Sequence, residues 1–282
     1  MSLWGEHRII CVPPQSIRMA DKLRTILAAR VRHQDVPLFG VAPADRWRAE
    51  GALEGMPEDF FPRSIFPECR SVVVIGYPIS IPIIDTAPSI WYHEQYKTVN
   101  ALLDQSAYRL SLVLDELGHP SVYVPRDGYA SLSALKERPM AFFSHRHAAY
   151  LAGLGTFGWN NMLLTERFGP RVRFTSILTS ASIEPNDLLT TDLCLRCGRC
   201  VDHCPVHALR STDYPSGITD KELCRQRSEQ LNIKGISPCG ICIKVCPVGK
   251  DREDFGRTDM EVYDQDAQPA SWEHVRRYGV KP

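Results

Sequence analysis

Apolar residues along this chain fall into two textures. Up to about residue 184 they recur with helical or strand periods. Beyond that point cysteine, proline and glycine replace them. In the first texture, Ile17, Ala20, Leu23, Ile26 and Leu27 step by three and four behind Pro13 and Pro14, which predicts a helix over 16–32. Residues 37–69 mix proline, glycine and charge and read as loops with short helical turns. The β-branched run SVVVIGY at 71–77 has the length of a strand buried on both faces. The clearest amphipathic helix is 98–117, where Val99, Leu102, Leu103, Ala107, Leu110, Leu114 and Leu117 share a face. Gly118 then stands where a left-handed residue ends a helix. A short strand at 121–124 follows. Residues 140–153 read as a helix leading into a glycine-rich turn. Residues 162–165 and 171–179 read as two strands joined by Phe168-Gly169-Pro170.

The pattern is that of an α+β chain with a boundary near 184–187. It divides into an α/β domain over 1–185 for a cofactor or substrate, a cysteine domain over 186–250 and a tail over 251–282. The tail holds eight acids against five Lys and Arg, so it is expected to be mostly solvated, with Phe255, Trp272 and Tyr278 packing back on the body.

Composition narrows the class. The chain has 282 residues, and 33 Lys and Arg balance 33 Asp and Glu, which argues against a broad basic footprint for nucleic acid. The longest apolar run, 71–84, is short and broken by Pro78 and Pro82, and the first residues lack a secretory pattern. A cytoplasmic protein without membrane contact is expected. In that reducing compartment clustered cysteines are not structural disulfides. Eight of the ten cysteines lie between Cys194 and Cys246. Cys11 and Cys69 stand apart and read as small buried hydrophobes.

The first run is Cys194-x-x-Cys197-x-x-Cys200-x-x-x-Cys204-Pro205. The second is Cys239-x-x-Cys242-x-x-x-Cys246-Pro247, with a solitary Cys224 before it. Thiolates at this spacing converge on a 4Fe–4S cluster, and the cysteine before proline ligates the other cluster. One cluster is therefore assigned to Cys194, Cys197, Cys200 and Cys246, and the second to Cys204, Cys224, Cys239 and Cys242. Zinc is the competing reading, but it needs neither the third cysteine nor the following proline. A segment of roughly 50 residues is too short for a core of its own, so the clusters should be required for it to fold.

Paired clusters alone make a one-electron carrier, but 193 residues precede Cys194 here. That body is expected to bind the electron acceptor. Gly153-Leu-Gly155-Thr-Phe-Gly158 matches a dinucleotide fingerprint only weakly. The segment before it looks helical, and no acid follows at the right distance. A loop where glycines let the backbone approach a flat cofactor or the cysteine domain fits better. Lys136, Arg138, Arg146, Arg167, Arg171 and Arg173, with His145 and His147, form either an anion-holding wall or an ordinary solvated face. Tyr92, His93 and Tyr96 stand before the long helix as further sources of a phenol or imidazole.

The stretch 147–165, with AGLGTFGWNN at its centre, then Phe168-Gly-Pro-Arg171 and Ser176-Ile-Leu-Thr179, resembles the epoxyqueuosine reductase family. Leu38-Phe-Gly-Val-Ala42 and the solitary Cys224 are similar to that family too, and reductive dehalogenases are more distant relatives of the same plan. The resemblance implies a nitroreductase-like α/β domain that holds base-off cobalamin against a two-cluster ferredoxin-like domain. Electrons would pass through the clusters to cobalt, and Co(I) would reduce the substrate. The loop with Gly153, Gly155, Gly158, Asn160 and Asn161 would line the cofactor.

The chain also departs from the family. Glu137-Arg138-Pro139 is present, but Asp127 lies farther upstream than the family's acid. Residues 141–145 are inserted before the loop, and Trp91-Tyr-His-Glu94 replaces an Arg-Asp-Tyr-His signature. The helical extension that longer members use for tRNA is not seen. The expected substrate is therefore a small molecule or nucleoside rather than tRNA, and the expected donor is a ferredoxin or flavodoxin. Asp127, His145, Tyr92 and His93 are the candidate proton donors. Two alternatives stay open: a corrinoid-free electron-transfer protein that docks on a partner, and an epoxyqueuosine-type tRNA-modifying reductase.

Overall fold

A computed structural model describes residues 14–49, 53, 56–127 and 141–277. Cys11, Lys136, Arg138, the 137–139 motif and Tyr278 lie outside the described residues. The scaffold is a four-stranded antiparallel sheet in the order β1-β2-β6-β3, with β1 Leu38–Pro43, β2 Ser71–Pro78, β3 Ser121–Val124 and β6 Val172–Thr179. A two-residue hairpin, β4 Thr156–Phe157 with β5 Leu163–Leu164, stands beside it.

Alternation along the central strands builds two cores. Val41, Val73, Ile75 and Ile177 meet α1 (Pro14–His33) and α2 (Ile90–Glu116) through Leu23, Leu27, Leu103, Leu110 and Leu114. Ala42, Val72, Val74 and Leu178 face the other way, onto α3 (His145–Leu151), Trp47 and Phe143. Each fully buried Val, Leu or Ile contributes about 1.5–3 kcal/mol, so the sheet stands on its own hydrophobic burial.

The long helix starts eight residues before the predicted 98, at Ile90, because the Ser89 hydroxyl caps it by accepting from the Tyr92 N–H at 3.1 Å. It ends as expected at Gly118, whose φ is +82°. Leu102 and Leu117 of the predicted face stay exposed.

Three expectations are corrected. Residues 37–69 are not only loops, since they begin with β1, whose edge pairing overrides its glycine and proline. The strands at 162–165 and 171–179 do not form a hairpin with each other. The eight-residue β6 is apolar enough to take an inner place in the sheet, and β5 pairs with β4 instead. The third helix starts at His145, not 140. The described tail is mostly exposed, as expected, and Trp272 packs back on the body, but Phe255 is exposed and Asp251, Arg252 and Tyr263 are buried with Trp272.

Candidate redox site

The cysteine-bearing segment is fastened to the sheet by buried polar contacts. Arg171, at the head of β6, is 0% exposed. Its Nε and Nη2 donate to the two oxygens of Asp251 at 2.9 and 2.6 Å, and its Nη1 and Nη2 reach the carbonyls of Cys246 and Val248. Bidentate pairing of this kind is what allows a guanidinium to be buried. A Cβ on Gly169 would lie 1.9 Å from the Val248 carbonyl, so the turn before Arg171 has room only for glycine. On the far side, Asn161 donates to the Gly217 carbonyl at 2.6 Å and accepts from the Thr219 hydroxyl at 2.8 Å. Trp159 donates to Asp213 at 2.8 Å.

These contacts bring the cysteines into two groups. Cys194, Cys197, Cys200 and Cys246 line one small cavity, together with Gly158, Asn160 and Pro247. Crowding with Cys246, Cys197 and Cys194, after burial as the larger cause, pushes the Cys200 thiol up to about 12. Cys242 is surrounded by Cys239, Cys224 and Cys204, and burial followed by these neighbours pushes its thiol well up. Cys200 also stands near Cys242, so the two groups are adjacent. Cys200 and Cys242 are thus held as thiols, and a bound metal must displace their protons. Among the described residues no three His, Cys, Asp or Glu side chains close on a single metal ion. The donor set, four sulfurs around a cavity, fits an iron–sulfur cubane.

The second group abuts the N-terminal body at α2. Gly240 has φ +72°, and a Cβ there would lie 2.5 Å from Tyr92 Cε1, so glycine lets the cysteine loop close on that ring. Burial above all, and then Tyr96, raises the Tyr92 phenol far above its ordinary range, so it stays protonated. His93 donates from Nδ1 to the Ser237 carbonyl at 2.5 Å, which spends that nitrogen on holding the same loop.

Next to Tyr92, Arg173 lies 4.0 Å over the Tyr96 ring and holds Asp127 at 2.9 Å, and Arg126 approaches the other Asp127 oxygen at 3.3 Å. The Nε atom of Arg173 is buried without a hydrogen-bond partner among the described residues. Arg146 donates from Nη1 to the Asn161 carbonyl, and desolvation, then Arg173, lowers its pKa while Tyr214, Cys242 and Cys224 pull the other way. Lys221 stands near it, its own pKa lowered by burial and then by Arg146. Asp127, Tyr96, Arg173 and Arg146 thus form a charged and aromatic patch beside the Cys242 group.

Other candidates have different occupations. Gly153 (φ +67°) packs under the Asp187 carbonyl and Gly155 under that of Leu164, with 2.0 Å left for a Cβ in each case, so both serve close backbone contact within the protein. Gly158 and Asn160 reach the cavity of the first cysteine group. His145 is removed as a proton donor: its Nδ1 meets Ser176 Oγ and its Nε2 the Pro125 carbonyl, both at 3.0 Å, and burial pushes its pKa down to about 4. His147 bonds Ser144 and Tyr214, and burial pushes it down to about 3. Among the described residues only Arg146 of the anion wall has no carboxylate partner, because Arg171 pairs with Asp251, Arg167 with Asp254 and Arg173 with Asp127. Arg126 and Lys221 were not legible as site residues, since only the closed fold carries them to this patch.

The buried histidines set a pH dependence. Both are neutral when folded, whereas in the unfolded chain they protonate near 6.5, so the unfolded state binds more protons between about 6.5 and 4. Stability from this source is complete above 6.5 and falls as pH drops toward 4, at most on the order of 1.4 kcal/mol per unit per histidine. The melting temperature should fall between pH 7 and pH 5, and less steeply in His145→Gln. A flat profile would show that these rings are not held neutral.

Residues 189–210 match the model described as "4Fe-4S binding domain". Among curated proteins, the chain is 25% identical over 198 residues to a tetrachloroethene reductive dehalogenase of Desulfitobacterium hafniense, covering 64% of this chain and 33% of that protein. It is 25% identical over 266 residues to an epoxyqueuosine reductase of Synechococcus sp. (strain RCC307), covering 84% of this chain and 78% of that one. The chain thus spans about a third of the dehalogenases it matches. A solved reductive dehalogenase whose description concerns B12-dependent dehalogenation superposes with TM-score 0.62 at 17% identity, over 92% of this chain and 37% of that one. An epoxyqueuosine reductase solved with a tRNA-Tyr stem loop superposes with TM-score 0.54 at 19% identity, over 81% and 66%. Among the described residues no helix is long and apolar enough to cross a membrane.

Proposed function

We propose that this chain, an iron–sulfur oxidoreductase related to epoxyqueuosine reductases and reductive dehalogenases, passes electrons through two 4Fe–4S clusters to a corrinoid held beside Cys242, where a small or nucleoside-like substrate is reduced. The observation that carries this reading is the second cysteine group standing beside Tyr96, Arg173, Asp127 and Arg146. When bound, the clusters supply single electrons and the corrinoid a cobalt centre that delivers them to carbon.

The chain's own residues do the rest. The cysteines hold the clusters, with Cys194, Cys197, Cys200 and Cys246 in one domain-closing set and Cys204, Cys224, Cys239 and Cys242 in the other. Tyr92 fills the space between the second set and the sheet, excluding water there. Arg173 and Arg126 orient the Asp127 carboxyl, which moves a proton to the reduced substrate. Arg146 and Arg173 hold polar groups of the bound molecules. Asp127→Asn should lower turnover roughly 100-fold with corrinoid affinity unchanged, as expected for loss of a general acid. Unchanged turnover would assign the proton to solvent.

Adding cobalamin to the anaerobically reconstituted protein should change the corrinoid's visible spectrum in proportion to protein. No change would leave the corrinoid-free electron carrier as the better reading. The expected exclusion of tRNA finds no support in the comparisons, because one solved relative was captured with a tRNA stem loop. Salt-dependent retention of tRNA would bring the tRNA-modifying reading forward.

A further inference from the structure

Beneath Cys246 the protein buries more positive charge than it balances. Arg171 is neutralised by Asp251, and Arg257 by Asp85 at 2.9 Å. Arg252, only 2% exposed, has no carboxylate partner among the described residues. Its Nε donates to the Cys246 carbonyl at 2.7 Å, one Nη to the Lys244 carbonyl at 2.6 Å, and the other to the Tyr263 hydroxyl at 2.8 Å. The Tyr263 hydroxyl in turn donates a hydrogen bond to Asp85 at 2.8 Å, which is already paired with Arg257. Lys244, 1% exposed, adds a second buried cation, held by Gln268 and the Trp272 ring. Cations at this depth are strongly disfavoured without an anion. The nearest candidate anion is a cubane closed by Cys246, because four thiolates leave such a cluster negative and reduction adds one further charge.

We propose that Arg252 is a positioning residue that serves as the fixed counter-charge of the cluster held by Cys194, Cys197, Cys200 and Cys246 and raises its reduction potential. This rests on the two-cluster reading above. The step is a one-electron uptake in which no bond forms or breaks, and the guanidinium stabilises the added charge through the Cys246 backbone. Asp251 acts with the opposite sign, since its carboxylate offsets Arg171 beside the same carbonyl.

The test is a dithionite titration followed by EPR on reconstituted protein, with iron counted in each sample. Arg252→Gln should lower the potential of one cluster and leave the other in place, Arg252→Lys should largely restore it, and Asp251→Asn should raise it. A purely structural role would move both charge-removing variants the same way. Unchanged potentials with full iron content would overturn the proposal, as would a fall in both Arg252→Gln and Asp251→Asn. If Arg252→Gln does not fold, Lys244→Gln takes its place, with the same expected direction. Wild-type protein without iron would instead defeat the two-cluster reading itself.

Discussion

Arg171→Met should destabilise this protein more than any other single substitution outside the cysteines. The change leaves Asp251 buried beside the Cys246 and Val248 carbonyls with no cation to answer it. Removing one partner of a buried pair costs about 3–5 kcal/mol, because the other charge remains desolvated. Replacing both, as in Arg171→Met with Asp251→Leu, should recover part of the loss. Thermal melts of the single and double variants check this. A single variant as stable as the parent would mean that the pair does not bind the cysteine segment to the sheet.

Stripping iron with a chelator under anaerobic conditions should unfold residues 189–250 while the sheet persists. The body carries two extensive cores, one on each face of the sheet. The cysteine segment has only small ones: Cys204, Ala208 and Leu209 in one place, and Val245 with Tyr263 and Trp272 in another. Such clusters cannot offset the conformational entropy of some 60 residues at roughly 1–2 kcal/mol each. Metal binding must supply the difference. Amide exchange should become fast through α4 (Lys221–Ile233), which buries only Leu231, and stay slow in β2 and β6. Slow exchange through α4 in the stripped protein would show that the segment folds without metal.

Much of this architecture was legible in the chain because local pattern and global fold agree. Val72 to Ile75 of SVVVIGY are apolar and fully buried in the sheet, and the long helix announces itself by its spacing. The cysteine spacing groups Cys246 with the first run and Cys224 with the second; in the structure Cys246 lines one cavity with Cys194, Cys197 and Cys200, and Cys224 stands near Cys242. What escaped depends on distant partners. LFGVAP becomes β1 only because β2 offers it an edge. The two-residue β5 has too little sequence to declare that it pairs with β4 rather than β6. The tail looked polar because its buried members, Asp251 and Arg252, are charged, and their reason for burial lies at Arg171 and Cys246. The patch beside Cys242 was legible only in part: Asp127, Tyr96, Arg146 and Arg173 stood out by type, but Arg126 and Lys221 reach it only through the closed fold. His145 and His147 looked like chemistry and proved to be packed hydrogen-bonding groups, which is the commoner fate of histidines on a buried helix face.

Iron and acid-labile sulfide counted on wild-type protein prepared without oxygen test the account at its root. Two cubanes on eight cysteines predict about eight of each per chain, with a brown colour that dithionite bleaches. A colourless preparation that takes up zinc and no iron would contradict it.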